Sequence, residues 1–148
     1  MNPINPAELH DPGPFGYTHV VDSGAGLVAI AGQYASDPLG RVAVADFPAQ
    51  VKLAFEHLGT ALRAAGLDHR DVIRLGTYVV DHDADRLAVL GTHVNALWKG
   101  SPPAQTLLGV SSLAMPGMLF EVDALAVRRA GSATATPGPG QSLPGPRR

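Results

Sequence analysis

Residues 118–127, MLFEVDALAV, alternate strictly enough to orient the whole chain. Phe120, Val122, Ala124 and Ala126 make one apolar side of a strand, while Leu119, Glu121, Asp123, Leu125 and Val127 point the opposite way. The first side needs helices over it. The second mixes two carboxylates with large aliphatics, and such a face is commonly covered by another subunit, so a homo-oligomer with sites near its interfaces is expected.

Working back from this strand, Val72–Val80 is a second one, with Ile73, Leu75, Thr77 and Val79 on one face and Val72, Arg74, Gly76, Tyr78 and Val80 on the other. Both faces are largely apolar, which places it centrally in a sheet. The helix before it is well signalled. Asp46 can cap it, Pro48 suits its first turn, and Val51, Ala54, Phe55, Leu58, Ala61, Leu62 and Ala65 share one stripe, with Gly66 as the stop. A second helix follows Asp81–Asp85, with Leu87, Leu90, Val94, Leu97 and Trp98 at helical spacing.

Thr18–Asp22 and Leu27–Ala31 flank Ser23-Gly24-Ala25-Gly26 as a hairpin, and Arg41–Ala45 suits a short edge strand. The order is β-β-(β)-α-β-α-β-β, an α+β domain with two helices on one face of a mixed sheet. Residues 1–16 hold four prolines and two glycines and are expected to run as an irregular N-terminal arm. Residues 17–129 form a single domain, and 130–148 read as a Pro/Gly-rich flexible tail.

The 148 residues carry a formal net charge of −2 with both signs scattered, which argues against a nucleic-acid surface or a polybasic membrane patch. A small molecule or another copy of the chain is the expected partner. There is no cysteine, so disulfides, thiolate catalysis and thiolate metal sites are excluded. The first residues lack both a basic start and an apolar run, and a cytoplasmic location is expected.

Ser101–Glu121, SPPAQTLLGVSSLAMPGMLFE, is the stretch where chemistry is most expected. Pro102-Pro103 favours an extended entry, Thr106–Val110 suits a strand, and Pro116-Gly117 marks a turn. Glu121, inside an apolar run on a face that will be covered, would be desolvated and its pKa raised toward acid–base work. Two plainer readings stand beside that one: an ion pair with an arginine such as Arg74, or exposure to solvent. Gln105 and Thr106 open the preceding strand, and a neutral amide there can donate to and accept from a ligand, or simply bond its own backbone. Asp81, His82, Asp83 and Asp85 resemble a metal cluster, but their place before a helix fits capping, and the six histidines are dispersed. No metal is expected. Ser111-Ser112 lack a Gly-x-Ser-x-Gly elbow, and Trp98 reads as helix packing.

Gly16-Tyr17, Ala31-Gly32-Gln33, Asp37-Pro38-Leu39-Gly40, Gln50, Ala64-Ala65-Gly66-Leu67, Pro103-Ala104 and Glu121–Val127, in this order and spacing, resemble the RidA/YjgF/YER057c/UK114 (Rid) family of reactive-intermediate deaminases. The resemblance covers nearly the whole chain up to Arg129. It implies a chorismate-mutase-like fold, a homotrimer with inter-subunit pockets, and cofactor-independent hydrolysis of imines or enamines. By position Glu121 would be associated with the attacking water, Tyr17 would close the pocket and Gly32 would line its floor. Ala31, Thr106 and Leu107 also fall at pocket positions, with Ala31 at a usual serine and Leu107 at a frequent cysteine. Gln105 stands where relatives carry the arginine that grips a substrate carboxylate. An amide lacks the charged, bidentate fork of a guanidinium, which argues against standard 2-imino-acid specificity. The alternative is a non-catalytic trimer that binds a small metabolite or plays a regulatory role. A ribonuclease role gains nothing from the acidic balance.

Overall fold

The structure is a computed structural model that describes residues 1–129; the tail expected at 130–148 lies outside the described residues. Six strands and two helices follow one another as β1 (Asn2–Ile4), β2 (Val20–Asp22), β3 (Leu27–Gln33), α1 (Phe47–Ala64), β4 (Val72–Val80), α2 (Ala84–Trp98), β5 (Ala104–Val110) and β6 (Phe120–Val127). The sheet order is β1-β2-β3-β6-β4-β5. β4 and β5 are parallel, with α2 as the crossover between them, and every other neighbouring pair is antiparallel. The α+β class with two helices on a mixed sheet is as expected.

The last strand behaves as its alternation dictates. Phe120, Val122, Ala124 and Ala126 are buried, and the intervening residues are half-buried. The cover is α1, whose Val51, Ala54, Phe55, Leu58, Ala61 and Leu62 are all buried. Phe120 meets the rings of Phe55 and Phe47 at 5.8 and 6.1 Å between centroids. Asp46 caps α1 by accepting from the Ala49 amide, and Gly66 takes the left-handed conformation beyond its end. Asp83 caps α2 in the same way, accepting from Arg86 N at 2.8 Å, so the acidic run before α2 does cap a helix. Trp98 packs on Phe55 and His69, and its Nε1 donates to the His69 carbonyl at 2.8 Å.

One buried side chain fixes where β6 begins. Gln50 Nε2 donates to the carbonyls of Val44 and Gly117, while its Oε1 accepts from Leu119 N at 2.8 Å. The turn at Pro116-Gly117 is thereby tied to α1, four residues ahead of Glu121.

Three details differ from the sequence reading. The arm at 1–16 is not wholly irregular, because Asn2–Ile4 pairs with β2 and a 3-10 turn runs over Gly13–Phe15. Arg41–Ala45 is not a strand; only a single bridge joins Ser36 and Val42. Asp37 draws that segment into a tight turn, accepting from Leu39 N, Arg41 N and Arg41 Nε at 2.9 Å each, which takes its hydrogen bonds away from the sheet. Finally, the register of β4 slips between Val72 and Arg74, so Val72 faces the core and Ile73 is 50% exposed, off the Leu75 face. A bulge of this kind shifts side chains between faces without a sequence signature.

Candidate functional site

Beyond the helix-covered side of the sheet, β3 and β6 frame a cavity of about 360 Å³. Its register is irregular where it matters: pairing of β3 with β6 shifts between Ile30 and Gln33, and Ala31 and Gly32 sit in that interval. Glu121 lies over Gly32 so closely that a β-carbon there would come within 2.6 Å of Glu121 Cδ. The glycine makes room for the carboxylate.

Glu121 is half-buried and forms no ion pair among the described residues. Arg74, the arginine considered as its partner, reaches Thr106 Oγ1 at 3.4 Å instead. Burial pushes the Glu121 carboxyl above its ordinary value, and the neighbouring charge of Asp123 pushes it further the same way. Asp123 itself is satisfied: Gly76 N donates to Oδ1 at 3.1 Å and Tyr78 Oη to Oδ2 at 2.7 Å. The two carboxylates therefore have separate roles, one held by hydrogen bonds and one free to face the cavity.

Tyr17 reaches this cavity from the N-terminal segment, after Gly16 closes the 3-10 turn at φ 76°. Its Oη lies 2.5 Å from His10 Nε2, and His10 Nδ1 lies 3.0 Å from Ser36 Oγ. His10 is only 4% exposed. Burial, and then the adjacent His19, lower its pKa, so the ring is neutral and carries one N–H. Tyr17 and Ser36 must then take opposite roles, one donating to the ring and the other accepting from it. His19 continues the chain: its Nε2 donates to the His10 carbonyl at 2.9 Å, and its Nδ1 accepts from Gln33, which also donates to the Ala31 carbonyl. Burial likewise raises the Tyr17 phenol, which stays protonated.

Phe15, Tyr34, Met115, Met118 and Ala114 complete the lining. Tyr34 Oη is turned away to donate to the Gly40 carbonyl at 2.6 Å. Sequence reasoning did not single out His10, Ser36, Tyr34, Met115 or Met118. A signal existed for the two methionines, which bracket the Pro116-Gly117 turn just before Glu121, whereas the His10–Ser36 contact spans 26 residues and had none.

Of the expected site residues, the structure brings together Tyr17, Ala31, Gly32 and Glu121. Gln105, Thr106 and Leu107 are elsewhere. They lie on β5, at the sheet edge, with β4 between them and β6. Gln105 Nε2 donates to Thr77 Oγ1 at 3.1 Å, and Gln105 and Leu107 line a shallow depression against Leu90 and Val94 of α2. Among the described residues no cluster of His, Cys, Asp or Glu could hold a metal ion, and no helix is long and apolar enough to cross a membrane.

A family profile described as Endoribonuclease L-PSP matches residues 10–128. The chain belongs to this family. It includes the RidA/YjgF proteins that the sequence resembles. Protein DfrA of Myxococcus xanthus is 32% identical over 116 residues, covering 78% of this chain and 86% of its own. Among solved structures, the Rid-family protein YyfB from Yersinia pestis is 36% identical with a TM-score of 0.66, covering 86% of this chain and 98% of its own. The YjgF gene product of E. coli is 25% identical with a TM-score of 0.73, covering 87% of this chain and all of its own. Rid-family membership thus accounts for the sheet order and for the span that the resemblance covered.

Proposed function

We propose that the protein is a cofactor-independent hydrolase of small imines, enamines or related carbon–nitrogen electrophiles, with Glu121 as its general base. The observation that carries this reading is a desolvated carboxylate, without an ion-pair partner among the described residues, facing a cavity beside a neutral tyrosine. Water adds to the carbon of a protonated C=N bond while Glu121 accepts one of its protons. The same carboxyl returns that proton to nitrogen and, as the C–N bond breaks, takes the proton of the new hydroxyl, so that a carbonyl and a neutral amine form; the amine then carries this last proton away as an ammonium ion. No electron transfer is required, so no cofactor is needed for this step.

In the same reading the working unit is a homotrimer. Gln105, Thr106 and Leu107 lie too far around the sheet to serve the cavity of their own copy, and the β5 edge would carry them to the cavity of a neighbour. Gln105 would then orient the substrate through a neutral amide and Tyr17 would close over it. The family's name denotes RNA cleavage, but the one charged group among the described residues lining this cavity is a carboxylate, which repels phosphates. A non-catalytic metabolite-binding trimer is the second reading, favoured by the neutral Gln105.

The test supplies imines generated in situ from amino acids and from simple amines, and follows carbonyl and ammonia release. Wild type should accelerate release and Glu121→Gln should reduce it at least a hundredfold, within the usual range for a general base of about 10²–10⁴. Unchanged turnover in Glu121→Gln removes the carboxylate's role. Absence of any turnover in wild type leaves the binding reading, and a monomer in light scattering at micromolar concentration removes the shared site.

A further inference from the structure

The chemistry of the cavity wall is one-sided. Three aromatic rings, Phe15, Tyr17 and Tyr34, line it together with the thioethers of Met115 and Met118, and Glu121 is the only carboxylate among the described residues that line it. None of the described residues lining it is a lysine, an arginine or a histidine. The rings are held as one unit, because the buried His10 ring packs against all three, at centroid distances of 5.6 Å to Phe15, 6.0 Å to Tyr17 and 5.5 Å to Tyr34. Aromatic faces present negative potential to a cation, polarisable sulfur adds dispersion contact, and a carboxylate at the base adds formal charge. An anionic ligand would have to give up its hydration against that carboxylate, and no lysine, arginine or histidine among the described lining residues of the same copy replaces it.

We infer that this cavity selects an apolar organic cation, an alkylammonium or arylalkylammonium ion or the iminium of the same skeleton, and disfavours a ligand bearing a carboxylate. The inference rests on reading this cavity as the substrate site. It narrows the substrate class from imines at large to those derived from simple amines rather than amino acids, which is also the state in which a C=N carbon is most open to attack by water.

Benzylammonium, benzyl alcohol and benzoate share a shape and differ in charge, and none can be hydrolysed, so their binding is read apart from turnover. The chain has three methionines, of which Met115 and Met118 line the cavity and Met1, 94% exposed, serves as an internal control. With methyl-labelled methionine, benzylammonium should shift the Met115 and Met118 signals saturably and about tenfold more tightly than benzyl alcohol, the order expected for a desolvated cation–π and carboxylate contact. Benzoate should bind more weakly still, and Met1 should not move. Glu121→Gln should erase most of the gap between cation and alcohol. As a second reading on unaltered protein, acidification that protonates Glu121 should close the same gap; the groups facing that carboxylate are Asp123 on its own strand, Tyr78 on β4, and Tyr17 and Tyr34. Benzoate binding as tightly as benzylammonium, a preference that survives both Glu121→Gln and acidification, or no saturable shift with any of the three overturns the inference. Cation binding without imine turnover would uphold it while removing the hydrolase.

Discussion

Gly32 and Glu121 compete for one volume: a β-carbon on Gly32 would lie 2.6 Å from Glu121 Cδ and 3.0 Å from its Cγ. The backbone of Gly32 has no left-handed requirement, so space alone reserves the position for glycine. Gly32→Ala should therefore leave the fold intact, because the obstructing atoms belong to a side chain that can rotate, at a cost of about 1–2 kcal/mol. The displaced carboxylate would no longer sit at the cavity floor. Imine turnover should fall nearly as far as in Glu121→Gln while the melting temperature drops only a few degrees; near-wild-type turnover would show that the carboxylate works from elsewhere.

Glu121 also predicts a stability effect opposite in sign to its effect on activity. Burial raises its folded pKa above the unfolded value, so the folded state holds its proton more tightly. Between those two pKa values stability falls as pH rises, and above the folded one the loss is complete. Glu121→Gln, neutral at every pH, should be more stable than wild type at pH 8 and about equal to it below about pH 4, where both side chains are uncharged. Urea unfolding at the two pH values measures this, and a variant less stable than wild type at pH 8 contradicts it.

The fold was legible because its signals are local and periodic. The alternation of Phe120–Val127, the Asp46 cap with its apolar stripe, and the Val72–Val80 run each specify an element without reference to distant residues. The departures arise where a tertiary contact overrides the pattern, as Asp37 does by turning Arg41 back and as the β4 bulge does by exposing Ile73. The site divides along the same line. Glu121 stood out as a charge in an apolar run, and family position supplied Tyr17 and Gly32. His10 and Ser36 meet Tyr17 only through the path of an irregular segment, which no spacing encodes. Gln105 was legible as a substitution, but its distance from Glu121 within one chain follows only from the sheet order.

Gln50 offers a test of how the site is anchored. It is almost fully buried and makes all three of its hydrogen bonds to backbone groups, two of them at the turn that leads into β6. Gln50→Leu keeps the volume and strands the carbonyls of Val44 and Gly117 and the amide of Leu119. Unsatisfied buried groups cost about 1–3 kcal/mol each, and with one or two of them recovering water a net loss of about 2–3 kcal/mol is expected. Hydrogen exchange should rise first at residues 117–119, since that turn loses its tie to α1. A variant as stable as wild type would mean that water replaces the amide at no cost.

The edge-to-face pair of histidines behind Tyr17, His10 and His19, sets an acid limit on the folded state. Burial lowers the pKa of His10 and of His19, whose rings lie 4.9 Å apart, so both are neutral when folded and neither can gain a proton without loss of packing or of a hydrogen bond. A depressed histidine pKa means that the unfolded state binds protons first, so stability falls as pH drops below the unfolded value of about 6.5 and continues to fall until the folded pKa is reached. Glu121 slopes the other way over part of that range, so the measurement belongs in the Glu121→Gln background. There the unfolding free energy should decline steadily from about pH 7 to pH 5. Adding His10→Gln should flatten that decline by up to one proton's worth while weakening the hold on Tyr17 Oη. If the slope is unchanged by His10→Gln, the acid sensitivity belongs to other groups and His10 is not the buried neutral ring that orients Tyr17.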